Sequence, residues 1–171
     1  MIKDKIQEAL NKQVNWELYS SYLYLSMAAY FASAHLKGFA NWMRAQVQEE
    51  IVHAMKFYDY LIERGGTVTL SAIESPPTQW TSHLSAFEQV YTHEQKVTKL
   101  IHELVGLAAF EQDYATSVFL QWFVKEQVEE ESSAHTVLQQ LRRIGGGGEG
   151  LYILDRELAK RVFIPAGAPK P

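Results

Sequence analysis

Glycine and proline occur at only a few places in this 171-residue chain, and their distribution limits the possible folds. Residues 1–64 contain one glycine and no proline, and the same is true of residues 78–144. Most of the remaining glycines and prolines lie in the segment 65–77, in the glycine run at 145–148, or near the carboxyl terminus. Because these residues interrupt helices, the two long uninterrupted blocks predict helical structure.

Apolar residues recur at seven-residue spacing in both blocks, which places them on one face of a helix. Each block contains two such stripes and is too long for one helix in a compact domain, so we expect it to fold back once. The stripes are Leu10, Glu17, Tyr24 and Phe31; Met43, Glu50 and Phe57; Phe87, Glu94, Ile101 and Ala108; and Phe123, Glu130, Val137 and Ile144. The predicted helices cover residues 2–33, 37–64, 82–111 and 113–144, with a short fifth helix at 151–162.

The connection between the two blocks is long enough to run the length of a helix bundle. Two hairpins joined by such a crossover bring the second and third helices parallel. We therefore predict an all-α fold, a four-helix bundle with one long crossover and a short fifth C-terminal helix. It forms one domain over residues 1–163, with the bundle in 1–144 and a flexible tail at 164–171.

Two local signals mark predicted helix starts. Asp113 is a candidate N-cap for the fourth helix, because its carboxylate can accept from free backbone N–H groups. Ser85, followed three residues later by Glu88, is typical of a capping box near the start of the third helix.

The middle of each apolar stripe is interrupted by polar side chains that can bind metal. They are Glu17 in the first stripe, Glu50 with His53 in the second, Glu94 in the third, and Gln127 with Glu130 in the fourth. Each position in the second hairpin follows its counterpart in the first by 77 residues, so the layout is repeated. Packing the hairpins together brings all six side chains to one level of the core.

A buried carboxylate costs several kcal/mol unless it is paired or coordinated. Lysine and arginine are absent from these stripes near the acids, so a bound cation is the available compensation. Carboxylates with one imidazole suit iron, manganese or zinc. Glu17, Glu50, Glu94 and Glu130 together carry a charge that two divalent ions would neutralise, and Glu50 is the best candidate to bridge them. Tyr24 could hydrogen-bond a ligand, act as a one-electron donor, or be a plain core residue.

Composition excludes several other classes of protein. The chain has no cysteine, which rules out thiolate metal sites, iron–sulfur clusters and disulfide scaffolds. Its net charge of −4 argues against nucleic acid as a partner. No apolar run is long enough for a membrane span, and the amino terminus is unlike a signal peptide. We therefore expect a cytoplasmic protein.

Several motifs carry a resemblance to a known family. They are N-W-E-L-Y-S-S-Y-L-Y around Glu17, G-F-A-N-W-M at 38–43, Q-E-E-I-V-H-A at 48–54, F-V-K-E-Q-V-E-E-E at 123–131, and G-E-G-L-Y at 148–152. Taken together, from residue 1 to about 163, the chain resembles a bacterial or archaeal non-haem ferritin. The resemblance implies iron storage, with Fe(II) and O2 as substrates of a ferroxidase centre. It also implies a homo-oligomeric hollow cage of 24 subunits in which ferric mineral collects.

The resemblance also implies a set of iron ligands. Glu17, Glu50 and His53 match the first iron site, and Glu50, Glu94 and Glu130 match the second, with Gln127 close by. The acids Glu49, Glu126 and Glu129 match a third iron site on the cavity side, with Glu130 shared. Haem is not expected, because Ile51 stands where bacterioferritin has its haem-ligating methionine, and Gln127 and Glu130 replace that family's second E-x-x-H pair.

Plainer interpretations remain open at this point. A cage or bundle could buffer metal without catalysis, and the acids could be incidental to a bundle that binds no metal. Glu49, Glu126 and Glu129 could be a solvated acidic helix face. The remaining histidines are expected at the surface: His35 at a predicted turn, His83 at a helix start, and His93, His102 and His135 off the main stripes. Trp122 and Tyr30 are expected to be packing or interface residues.

Overall fold

The computed structural model describes residues 1–145 and 148–164, and within them it forms five α-helices. They are α1 (Asp4–Ser33), α2 (Lys37–Glu63), α3 (His83–Phe110), α4 (Tyr114–Ile144) and α5 (Gly148–Leu158). The all-α prediction is confirmed. The fifth helix begins three residues earlier and ends four residues earlier than predicted. Most of the predicted flexible tail, and two glycines of the run before α5, lie outside the described residues.

The long crossover runs along α1 and makes α2 and α3 parallel. The side-chain amides of Asn11 and Asn15, near the start of α1, donate to the carbonyls of Thr67 and Ala72. Further along α1, the hydroxyl of Ser26 donates to the carbonyl of Pro77 at 2.7 Å. The crossover therefore climbs from the beginning of α1 to its end, where α3 starts, and α3 then descends antiparallel to its neighbour α1 and parallel to α2.

The starts of α3 and α4 are capped by side chains. Asp113 accepts from the backbone N–H of Thr116 at 3.1 Å, as predicted, and its carboxylate also pairs with both terminal nitrogens of Arg64. The capping box of α3 joins Ser82 and Ser85. The predicted box of Ser85 with Glu88 is wrong, because Ser85 is already the third helical residue and Glu88 pairs with α4.

The core divides into two apolar clusters. One is built around Phe31, Phe39 and Phe87 and includes residues of α5. The other is built around Leu10, Phe57 and neighbouring side chains at the opposite end of the bundle. The polar residues of the four stripes separate the two clusters, so they lie at the middle of the bundle with apolar packing above and below.

The fifth helix docks on the start of α2. The Asp155 carboxylate accepts from the backbone N–H groups of Gly38 and Phe39 at 2.7 and 3.0 Å, and so caps α2 from another helix. A Cβ at position 38 would lie 1.6 Å from the Asp155 carbonyl oxygen, so only glycine allows this approach. Within the described residues, no helix is long and apolar enough to span a membrane.

Candidate metal centre

Six polar side chains are buried together between the two apolar clusters. Glu17 lies on α1, Glu50 and His53 lie on α2, Glu94 on α3, and Gln127 and Glu130 on α4. Each is at most 5% exposed. All four helices of the bundle therefore contribute to one polar level, as the 77-residue offset predicts.

Glu17, Glu50 and His53 offer three ligand atoms within 4.8 Å of one another. His53 Nδ1 lies 3.3 Å from Glu50 Oε2, one turn along the same helix. Glu17 Oε1 accepts from the side-chain amide of Gln13 at 2.8 Å, whereas its buried Oε2 has no hydrogen-bond partner in the described parts of the chain. An oxygen with a free lone pair beside a second carboxylate and an imidazole suits a divalent cation.

His53 also belongs to a second group of potential ligands, with Glu126 and Glu130. Their ligand atoms again lie within 4.8 Å of one another, although Glu126 is only partly buried. Glu130 Oε2 accepts from the side-chain amide of Gln46 at 2.9 Å. His53 is therefore placed between the carboxylates of α1 and α2 on one side and those of α4 on the other.

Glu94 is held by two neighbours rather than by an ion pair. The hydroxyl of Tyr24 donates to its Oε1, and the side-chain amide of Gln127 donates to its Oε2 at 3.2 Å. Of the roles considered for Tyr24, hydrogen bonding to a candidate ligand is the one that the structure shows. Gln127 contacts the same carboxylate, so it orients Glu94.

Burial and mutual repulsion raise the pKa values of Glu17, Glu50 and Glu94. Burial raises the pKa of Glu50 well above its usual range, and the charges of Glu94, Glu17 and Glu130 raise it further. Burial also raises the pKa of Glu17, against the opposing effect of His53. The pKa of Glu94 rises to about 8, first through burial and then through the charge of Glu130. Without a cation, the site therefore retains protons near neutral pH.

The compensation that salt bridges usually supply is missing. None of the ion pairs among residues 1–145 and 148–164 joins Glu17, Glu50, Glu94 or Glu130 to a lysine or arginine. Among the described residues, His53 is the only basic side chain that is ion-paired with any of these four acids, through Glu50. Bound divalent ions would supply the positive charge and displace the retained protons.

The three acids assigned to a third iron site are less closely grouped. Glu49 is partly buried and pairs with Arg161, with 2.5 Å between its Oε2 and Nη2. Glu126 faces His53 and Glu130, and Glu129 is exposed. The two clusters of potential ligands found in the described structure include neither Glu49 nor Glu129. The third site therefore stays a prediction.

Three polar residues near the site were not anticipated. Gln13 and Gln46 each lie one turn before a glutamate of the same stripe, and their amides donate to Glu17 and Glu130. A glutamine four positions before Glu17 and another four positions before Glu50 were the available signal. Arg161 lies beyond the end of α5 and contacts Gln46 and Glu49, and no local sequence pattern predicts such a contact.

His93 is buried, which corrects the expectation that it lies at the surface. It is 7% exposed, and its Nε2 lies 2.7 Å from the hydroxyl oxygen of Ser20. Its ring also packs edge-on against Tyr24. Burial lowers the pKa of His93 to about 4, and the charge of Lys96 contributes. His93 therefore supports Tyr24 as a neutral core residue.

Comparison with known proteins agrees with this geometry. A family model described as a ferritin-like domain matches residues 7–144. A bacterial non-heme ferritin of Bacteroides fragilis (strain 638R) is 45% identical over 161 residues, which are 94% of this chain and 100% of that relative. A bacterial non-heme ferritin of Escherichia coli O6:H1 is 41% identical over 93% of this chain and 96% of its own length.

Solved structures of ferritins share the fold. An engineered closed form of the Archaeoglobus fulgidus ferritin superposes with a TM-score of 0.94 at 58% identity, covering 96% of this chain and 100% of that one. An open-pore ferritin of the same archaeon superposes with a TM-score of 0.93 at 58% identity, covering 95% and 100% of the two chains. The chain therefore belongs to the ferritin family. Family, fold and donor set together support iron storage, and the group of Glu17, Glu50 and His53 is compatible with a di-iron site.

Proposed function

We propose that this protein is a ferroxidase that oxidises Fe(II) with O2 inside the helix bundle and stores the product as ferric mineral in a hollow cage. One observation carries the proposal. Four carboxylates and one imidazole are buried at a single level, and no lysine or arginine among the described residues is ion-paired with the four acids. Two Fe(II) ions would match the charge of the four carboxylates.

The proposed first iron site comprises Glu17, Glu50 and His53, and the second comprises Glu50, Glu94 and Glu130. Glu50 is the proposed bridge, because its carboxylate interacts with the other three acids and contacts His53. Fe(II) binding would release the protons held by these carboxyl groups, since a metal ligand must be deprotonated. The four carboxylates then offset four of the six positive charges of two ferric ions.

The neighbouring side chains orient these ligands. The amide of Gln13 occupies one oxygen of Glu17 and leaves the other for a metal ion. Tyr24 and Gln127 hold the two oxygens of Glu94. Burial raises the pKa of Tyr24 well above its usual range, and the charges of Glu94 and Glu50 add to this, so the hydroxyl remains a hydrogen-bond donor. Supporting contacts of this kind are typical of metal sites.

Storage requires a route and a container. We propose that ferric product leaves toward Glu49, Glu126 and Glu129, with Glu130 shared, and that these acids form a third iron site on the cavity side. The cage is proposed to contain 24 subunits. Its assembly is checked by particle mass, which should be close to 24 times the 19.5 kDa chain.

Oxygen uptake distinguishes this function from metal buffering without catalysis. When Fe(II) is added aerobically to the assembled protein, we expect rapid O2 consumption approaching one O2 for every four Fe(II), with release of protons. An oxygen electrode and a pH-stat record both. Stoichiometric Fe(II) binding with O2 consumption no faster than in protein-free buffer would support a buffering cage and contradict the ferroxidase.

A further inference from the structure

The chain that follows α5 covers one face of α2 and leads toward the metal centre. After Asp155 caps the start of α2, the side-chain amide of Asn41 donates to the Arg161 carbonyl at 2.9 Å. The guanidinium carbon of Arg161 lies 4.3 Å from the centre of the Trp42 ring. The chain from Asp155 to Arg161 therefore contacts successive turns of α2, and the contact with Trp42 is made by the guanidinium group.

The Arg161 guanidinium makes two polar contacts deeper along α2. Its Nη2 donates to Oε1 of Gln46 and to Oε2 of Glu49, the latter at 2.5 Å. The Arg161 side chain is only 20% exposed, and its buried Nη1 has no hydrogen-bond partner within the described chain. A planar guanidinium in this setting loses little further freedom when it binds a carboxylate, which strengthens the pair.

Gln46 extends this link to a proposed iron ligand. Its side-chain oxygen accepts from Arg161, and its side-chain nitrogen donates to Glu130 Oε2 at 2.9 Å. Because an amide has one acceptor end and one donor end, Arg161 sets the orientation in which Gln46 faces Glu130. Arg161 thus contacts Glu49 directly and Glu130 through one residue.

We propose that Arg161 is a tethered cation that competes with metal for Glu49 and thereby weakens the third iron site. This inference rests on the proposed function, because the third site is part of it. A divalent ion can use Glu49 fully only if the guanidinium releases that carboxylate. The competition favours onward movement of iron from this site over its retention. By linkage, an ion at the third site must in turn loosen the segment that carries Arg161.

If Arg161 has a merely structural role, its removal should change the metal affinity of the third site in the opposite direction. If the side chain only anchors the segment after α5, its removal should disturb Glu49 and Gln46 and weaken metal binding. If it competes with metal, its removal should strengthen binding at the third site. The sign of the change therefore separates the two roles.

Anaerobic calorimetric titration of the assembled protein with Zn(II) measures this sign. In Arg161→Gln we expect the third equivalent of Zn(II) to bind about tenfold more tightly than in the unmodified protein, within the usual range of coupling between sites. Arg161→Lys keeps the positive charge but loses the planar guanidinium group. The affinity of this variant for the third equivalent of Zn(II) should therefore lie between those of Arg161→Gln and the unmodified protein. Lys160→Gln removes a charge from the adjacent exposed residue and should leave binding unchanged. In Glu49→Gln, the further change Arg161→Gln should bring no gain.

Equal or weaker binding of the third equivalent in Arg161→Gln would overturn the proposal. If the unmodified protein failed to bind the first two equivalents of Zn(II), the proposed di-iron centre would be contradicted instead. The two failures are therefore distinguishable. If Arg161→Gln does not assemble, hydrogen exchange in the unmodified protein decides. Backbone amides at residues 159–161, which donate to carbonyls of α5, should exchange faster with three equivalents of Zn(II) than with two. Unchanged exchange there would also overturn the proposal.

Discussion

The variant Glu50→Gln should lose fast aerobic oxidation of Fe(II). Glu50 contacts His53, and its pKa is affected by Glu17, Glu94 and Glu130, so both proposed iron sites depend on it. Replacing a residue that merely supports a metal ligand costs about 10–100-fold in affinity or activity, so loss of a bridging ligand should slow the initial rate by about 100-fold or more. Stopped-flow absorbance of the ferric product measures this rate.

The matched control is Glu63→Gln, which removes an exposed carboxylate from the end of the same helix. It should leave the rate unchanged, and both variants should give the same particle mass as the unmodified protein. Since Gln is nearly isosteric with Glu and carries no charge, Glu50→Gln should also raise the melting temperature of the metal-free protein. Undiminished oxidation in this variant would contradict the assignment of the bridge.

Metal-free protein should lose stability as the pH rises, and divalent metal should remove that loss. Glu94 has a pKa of about 8 in the folded state against 4.5 ordinarily, and the pKa values of Glu17 and Glu50 are also raised. The folded state therefore holds more protons than the unfolded state. Its resulting stabilisation is complete below about pH 4.5 and disappears as the pH rises through about 8. The apparent melting temperature, recorded with and without Zn(II), shows both effects.

His93 has the opposite effect on the pH dependence of stability, because its pKa is lowered to about 4 from 6.5. This effect is confined to pH values below about 6.5. The interval from pH 6.5 to 8 therefore isolates the carboxyl groups. There, Zn(II) at about 1,000 times its dissociation constant should add about 4 kcal/mol to the free energy of unfolding for each filled site. Glu94→Gln should flatten the pH dependence. A melting temperature insensitive to Zn(II) would favour a bundle that binds no metal.

Periodicity predicts the fold well because it reports which face of each helix is buried. The heptads around Leu10, Met43, Phe87 and Phe123 reflect the contact surface of one helix at a time, and every one of these four residues is buried. The break between residues 64 and 78 likewise predicts the crossover. Helix ends were less predictable, because the capping hydroxyl of Ser82 competes with an equally plausible pattern at Ser85.

The buried acids could be predicted for a different reason. Four charges in four apolar stripes contradict the hydrophobic pattern, so Glu17, Glu50, Glu94 and Glu130 stand out against their own helices. Contacts between helices leave no such periodic signal. Gln46 reaches Glu130 across 84 positions, and Arg161 reaches Glu49 across 112. These contacts depend on the docking of helices and of the segment after α5, which the spacing of residues along one helix does not encode.

Anomalous X-ray scattering at the iron edge, from crystals loaded with Fe(II) without oxygen, tests the central claim most directly. Two peaks are expected in each subunit at the middle of the bundle. One should lie among Glu17, Glu50 and His53, and the other among Glu50, Glu94 and Glu130. Iron found only outside the bundle, with neither position filled at saturating Fe(II), would contradict the proposed ferroxidase centre.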